Sequence, residues 1–222
     1  MTHDIKALQS IIAPTKNPVT DGFGIFRHWG IDTWHPDRKY SPVHAGIDFS
    51  ALPEDRIAMP VKGEVWGERS RNPSIGSYCM ILPERSAEVA LYFYHCEPTG
   101  DRWRSFDRGE DVTVHAGHGI GAPHLHFEVN VTDEIGRQLL SDGILRPINN
   151  LAVDVWGRAR DAGISPADTL RRVRRQMESW GILEIGENYM IRQWLPEERR
   201  SRKSNIGKGP TWVIDPRVFM EV

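Results

Sequence analysis

The chain has only two cysteines in 222 residues. Cys79 and Cys96 are too few for a disulfide framework. They read as buried free thiols, each in a strand, placed to face one another across a hairpin. Long apolar runs are also missing. No stretch approaches the roughly 20 apolar residues that cross a bilayer. The opening segment, MTHDIKALQSIIAPTKNPVT, holds nothing longer than IIA, so no secretory signal is readable. Excess charge of one sign is absent: 28 Lys and Arg stand against 30 Asp and Glu, for a net charge of −2. Residues 1–151 carry 15 basic against 20 acidic side chains, and residues 152–222 carry 13 against 10. That mild asymmetry is not a nucleic-acid signature. Internal repeats and low-complexity tracts are lacking as well.

What remains is the composition of a globular chain, 39% hydrophobic and 26% charged, which excludes disordered and collagen-like polymers. The length suits one domain, or a domain of about 150 residues with a small appendage. Twenty glycines and fifteen prolines imply many turns. Eight tryptophans serve core packing first, and offer aromatic binding surface second.

Residues 1–20 read as a short helix or arm running into Pro14 and Pro18. From about 21 to 130 short apolar runs are broken by Gly, Pro, Asn and Asp, the pattern of strands. IAMPVKGEVWGE reads as strand, tight turn, strand. SYCMIL and VALYFYHC flank PERSAE as an antiparallel hairpin. The character changes after residue 151. In ISPADTLRRVRRQMESWG, Ser165 suits an N-cap, Pro166 the first helical position and Gly181 the C-terminal cap. Leu170, Val173, Met177 and Trp180 form its apolar stripe, with four arginines on the remaining surface. LAVDVWGRARDAG predicts a second helix. The charged stretch PEERRSRKSNIGKGP and a short apolar tail, TWVIDPRVFMEV, follow. The fold class expected is mainly β (α+β): a compact antiparallel sheet with a small helical C-terminal appendage.

Chemistry concentrates in histidine and aspartate. PHLHFEV places His124 and His126 two residues apart on a strand, so both point to one face while Leu125, Phe127 and Val129 point to the other. Adjacent imidazoles suit a metal or a proton-transfer site. A solvated polar face is the plain alternative. HAGIDFS offers His44 and Asp48, and YFYHCEP offers His95 at a strand end. A catalytic zinc takes three such protein ligands and keeps a fourth position. Along a straight strand, positions 44 and 48 lie about 13 Å apart, at roughly 3.3 Å per residue. Shared binding of one ion therefore requires a bend between them, and Gly46 is the residue able to allow it.

HAGID, MPVKGEV, YFYH, PHLHFEV and RPINNL, in this order and spacing, resemble the lysostaphin/LytM-type zinc peptidases, which cut peptide cross-bridges of bacterial peptidoglycan. The resemblance covers about residues 20–151. It implies a lysostaphin/LytM-like catalytic domain over 21–151, preceded by an arm over 1–20 and followed by an appendage over 152–222. It implies that His44, Asp48 and His126 bind Zn2+ and that His95 and His124 act beside it without binding metal. The implied reaction is peptide-bond hydrolysis, and the implied partners are peptidoglycan peptides, with no membrane insertion. Two departures stand out. RGEDVTVHAGHGIGAP is shorter than the family's glycine-rich passage and carries His115 and His118. Cys96 follows the middle histidine where the family has leucine.

Peptidoglycan lies outside the membrane. A chain made without an export signal is then expected to be a phage-encoded lysin, released by a holin or carried in the virion; a truncated or processed chain is the other resolution. One alternative is a catalytically silent member of the same fold that binds peptidoglycan or a protein partner. Another is nucleic-acid binding through the arginine-rich helices of residues 151–181, whose helix–turn–helix look is loose.

Overall fold

The computed structural model describes residues 3–25, 43–69, 76–84, 86–100, 102–114, 123–161, 163–194 and 203–220. The elements are α1 (His3–Gln9), β1 (Val19–Asp21), β2 (Gly24–Ile25), β3 (Val43–His44), β4 (Ile47–Ser50), β5 (Arg56–Ala58), β6 (Gly63–Arg69), β7 (Ser77–Pro83), β8 (Val89–Tyr94), β9 (Arg104–Phe106), β10 (Asp111–Val114), β11 (His124–Thr132), α2 (Asp133–Ser141), α3 (Leu151–Asp161), α4 (Pro166–Ser179), β12 (Ile182–Ile185), β13 (Tyr189–Arg192) and β14 (Thr211–Ile214). The mainly β, antiparallel architecture with a smaller helical part matches the expectation. One ten-stranded sheet runs β12-β13-β14-β11-β8-β7-β6-β9, and β4 pairs both β11 and β1.

Strand β11 organises the sheet. One of its edges is taken by β8, from His126 opposite Tyr94 to Val131 opposite Val89. Its other edge is shared in tandem. β4 pairs with His124 to Phe127, and β14 takes over from Val129 to Thr132. Alternation works as the sequence predicts: Leu125, Phe127, Val129 and Val131 are all 1% exposed or less and enter the main core. A second apolar layer covers the outer face, where Ile206 packs with Met80, Leu82, Ala90 and Tyr92.

The hairpin of β7 and β8 forms as expected, with Cys79 opposite Phe93. Both thiols are buried and free, with their sulfurs 3.6 Å apart. The strands β5 and β6 also form around the expected turn. They part company, however: β5 pairs with β10 and β6 with β7 and β9.

Both expected helices are present as α3 and α4, and the capping residues expected for α4 act as such. Ser165 Oγ accepts from the Asp168 amide, with Pro166 at the first helical position, and Gly181 takes the left-handed φ of 63° that a helix-ending glycine supplies. Residues 152–222 hold more than helices. They also supply β12, β13 and β14, which extend the same sheet as β11. Trp212, Val213 and Ile214 are 2% exposed or less. Full burial of an apolar side chain contributes about 1.5–3 kcal/mol, so β14 is an integral strand. Among the described residues, no helix is long and apolar enough to cross a membrane.

Candidate metal centre

Asp48 and His126 are direct cross-strand partners on β4 and β11. Opposed residues on one pair share a face at close range, so the ladder itself puts carboxylate beside imidazole. His44 arrives from β3, a two-residue strand paired with β2. The required bend is present: the chain turns at residues 45–46 between β3 and β4. Gly46 is needed there, though not for a positive φ. A Cβ at this position would lie 2.4 Å from the Phe127 carbonyl oxygen and 2.7 Å from His126 Nε2. Only the absence of a side chain lets the corner sit against β11.

One donor atom from each of His44, Asp48 and His126 lies within 4.8 Å of the other two. His44 Nε2 and His126 Nδ1 are 2.7 Å apart. Asp48 Oδ1 is 2.8 Å from His126 Nδ1 and 3.1 Å from His44 Nε2. Zinc bonds of about 2.0–2.1 Å set ligand–ligand edges of roughly 3.3 Å, so the shortest edge, 2.7 Å, needs to open by about 0.6 Å and the others by less.

Two neighbours settle the tautomers. His44 Nδ1 lies 2.8 Å from the Gly22 carbonyl oxygen, which only accepts, so Nδ1 carries a proton and Nε2 presents its lone pair inward. His126 Nε2 donates to Glu128 Oε1 at 3.1 Å, leaving Nδ1 as its inward atom. Glu128 is in turn held by Asn130 Nδ2 at 3.3 Å. Such outer partners orient metal-binding imidazoles. Glu128 and the Gly22 carbonyl were not singled out in the sequence. The continued alternation His124, His126, Glu128 is the signal for the first; nothing marks the second.

Two lone pairs and a carboxylate oxygen at this range repel unless a positive charge lies among them. Without metal, that charge is a proton on His126 Nδ1. Burial disfavours it, but hydrogen bonds to Asp48 and Glu128 and their negative charges prevail, and the pKa is pushed up to about 9. Burial likewise opposes ionisation of Asp48, yet hydrogen bonds and charge from His126 and His44 hold its carboxyl well below the usual carboxylate range. Burial opposes ionisation of Glu128 too, and the His126 contact lowers its pKa regardless. A donor set of two imidazoles and one carboxylate around a single point fits Zn2+.

A pH dependence follows. Because its folded pKa is raised, His126 stabilises the metal-free fold fully below its ordinary value of 6.5 and loses this contribution as pH rises through about 9. Zinc needs the same nitrogen deprotonated. Zinc uptake near neutral pH should therefore release about one proton per ion, and affinity should climb with pH up to about 9. Calorimetric zinc titration in buffers of different ionisation enthalpy measures the released proton. Uptake without proton release would contradict the assigned protonation.

His95 and His124 stand beside the group. His124 Nε2 is 3.8 Å from Asp48 Oδ2, and the His95 and His124 rings lie 4.7 Å apart at 76°. In a regular strand, His95 would face opposite to Tyr94 and enter the core. Its φ of 64° breaks the alternation and its ring meets His124 instead. A non-glycine residue in that region carries about 1–3 kcal/mol of strain, a cost typical of functional positions. All five site residues expected from the sequence thus meet in one place. His115 and His118 lie outside the described residues.

No family model matches the sequence, and no curated protein matches it closely. Several solved structures are similar. A zinc containing peptidase from Vibrio cholerae shares 21% identity over 55% of this chain, with a TM-score of 0.41. The match spans only 35% of that peptidase. The catalytic domain of the prophage-encoded protein EnpA from Enterococcus faecalis shares 20% identity over 54% of this chain and 87% of its own, at a TM-score of 0.41. The catalytic domain of the antimicrobial peptidase lysostaphin from Staphylococcus simulans shares 17% over 52% of this chain and 80% of its own, at 0.39. These similar structures are a zinc containing peptidase, a prophage-encoded M23 protein and the peptidase lysostaphin, and in this chain His44, Asp48 and His126 are placed so that they could hold a metal ion.

Proposed function

We propose that the protein is a zinc-dependent endopeptidase that hydrolyses cross-links or stem peptides of bacterial peptidoglycan. One observation carries this reading: two imidazole lone pairs and a carboxylate oxygen converge on a point with two further imidazoles alongside. A purely structural metal site would be closed by a fourth protein ligand. Here the neighbours are bases suited to moving protons. Zinc held by His44, Asp48 and His126 supplies Lewis acidity, which polarises a carbonyl and makes water nucleophilic near neutral pH. His95 and His124 then have the proton work: accepting one from the attacking water and returning it to the departing amine. In their protonated form they also steady negative charge developing on the carbonyl oxygen.

Substrate class is supported by the outer sheet face. Tyr94 lies with its ring 5.3 Å from that of His126, Tyr78 follows 6.0 Å from Tyr94, and Trp66 6.0 Å from Tyr78. These half-buried rings also pack against the second apolar layer, and in this reading only their remaining exposed edges are offered to the peptide beside the site. In this reading residues 21–151 carry every reacting group, with residues 1–20 as an arm and residues 152–222 in a supporting role.

The test is digestion of purified peptidoglycan, followed by turbidity and by mass analysis of the released muropeptides. Turbidity should fall, with new free amines at a single type of peptide bond. A chelator should stop the reaction and added zinc restore it. Binding that is insensitive to chelator and releases no product would make the chain a silent binding module instead. A salt-sensitive shift with DNA, abolished by Arg172→Ala with Arg175→Ala, would assign the work to the helices.

A further inference from the structure

Helix α4 meets the metal centre through a buried glutamine. Gln176 Oε1 accepts from the Val43 amide at 3.0 Å, and Gln176 Nε2 donates to the Val43 carbonyl at 3.0 Å. The two residues are 133 positions apart in sequence. Val43 is fully buried and Gln176 is 8% exposed. A carboxamide presents one acceptor and one donor side by side, as a neighbouring strand's backbone does. Gln176 therefore acts on Val43 as a one-residue partner strand.

The consequence falls on His44. Strand β3 consists of Val43 and His44 alone. Its pairing with β2 joins Gly24 to His44 and Ile25 to Val43. So short a strand has few ladder bonds to hold it, and this clasp acts on the residue immediately before the metal-facing imidazole. Thr169 and Val173 are fully buried on the same side of α4 and keep that side seated. We propose that Gln176 is a positioning residue for the metal centre: it fixes β3, and with it the direction of the His44 ring. Residues 152–222 thus complete the site from outside the segment that supplies its ligands. The inference rests on the zinc-site reading.

Three variants of the full chain test it. Gln176→Met keeps the length of the side chain and removes both hydrogen bonds. Gln176→Glu keeps the acceptor for the Val43 amide and loses the donor. Val173→Ala loosens α4 packing and leaves the clasp intact. Zinc affinity is read by competition with a chromophoric chelator, cobalt(II) absorption reports ligand geometry, and amide exchange reports Val43. Gln176→Met should weaken zinc binding about tenfold, within the range seen for outer partners of metal ligands. It should also change the cobalt spectrum and speed Val43 exchange. Gln176→Glu should weaken zinc binding at least as much, because its buried carboxylate would face the Val43 carbonyl, and parent-like zinc affinity in that variant would overturn the proposal even if the methionine variant does not fold. Val173→Ala should lower the melting temperature with zinc affinity and spectrum unchanged.

Parent-like zinc affinity and cobalt spectrum in Gln176→Met would overturn the proposal. So would equal loss of affinity in Val173→Ala, which would make the effect one of general stability. A parent chain that takes up no zinc would instead overturn the metal-site reading. Val43 exchange would then still show whether the clasp holds β3.

Discussion

His126→Ala should yield a folded chain that retains no stoichiometric zinc and releases no muropeptide, whereas His124→Ala should retain zinc and lose turnover. The two residues sit two apart on one face of β11, so proximity does not separate them. Their contacts do. His126 Nδ1 lies 2.7 Å from His44 Nε2 and 2.8 Å from Asp48 Oδ1, inside the group that can hold the ion. His124 is outside that group, 3.8 Å from the second oxygen of Asp48 and against His95. Removing His126 also strands Glu128, a buried carboxylate whose ionisation is sustained by that imidazole. Uncompensated burial of a charge is costly, so His126→Ala should lower the melting temperature as well. His124→Ala removes a base and leaves the donor set whole. Its kcat should fall by about 10²–10⁴, the range of general acid–base catalysis, at unchanged zinc content. Metal analysis by mass spectrometry beside muropeptide assay separates the outcomes. Equal metal loss in both variants would show that His124 is a ligand and undo the division of roles.

The contrast explains what was legible in the sequence. Period-two alternation in HLHFEV fixes which side chains share a face, because that rule depends on local backbone geometry alone. Capping of α4 was legible for the same reason. The spacing of 44 and 48 forces a bend once a shared ion is assumed, and the bend is there. Less accessible were features that depend on what lies across the fold. The stripe read for α4 was Leu170, Val173, Met177 and Trp180, yet Thr169 and Gln176 are buried while Trp180 is 36% exposed. A glutamine scores as a surface residue until a distant backbone supplies both of its partners. Strand β14 hid for a similar reason. TWVI has no alternation, being covered on both faces, and its partner β11 lies some 80 residues away. Helix α2, with only Ile135, Gly136 and Leu139 buried, shows too narrow a stripe to stand out beside the strands before it. His95 is the sharpest case. Its direction depends on one left-handed φ, and an ordinary strand would have sent it into the core.

Gly46→Ala should damage the metal centre as severely as loss of a ligand's support, although glycine contributes no donor. The added methyl would sit 2.4 Å from the Phe127 oxygen, 2.7 Å from His126 Nε2 and 2.9 Å from His126 Cε1. The first is backbone on the central strand, paired at this point with Ile47, and cannot yield cheaply. Ordinary contact requires the corner between β3 and β4 to retreat by about 1 Å, given the 2.4 Å approach. Misplacement of that size costs about a hundredfold in rate when reacting groups must align. Here it strikes twice, moving His44 and Asp48 away from β11 and pressing on the imidazole edge that Glu128 holds. Zinc affinity and kcat/KM should both fall about a hundredfold. Overpacking of this kind also costs about 1–3 kcal/mol of stability, which thermal unfolding of the metal-free chain would register. The comparison that isolates the cause is Gly157→Ala in α3, where a Cβ meets nothing within 4 Å. That variant should match the parent in zinc affinity and turnover, and a slight gain in stability is expected from helix propensity. If Gly46→Ala kept parent-like zinc affinity, the corner would be free to move without disturbing His44 and Asp48. The close packing of β3 and β4 on β11 would then not be what brings the three donors together.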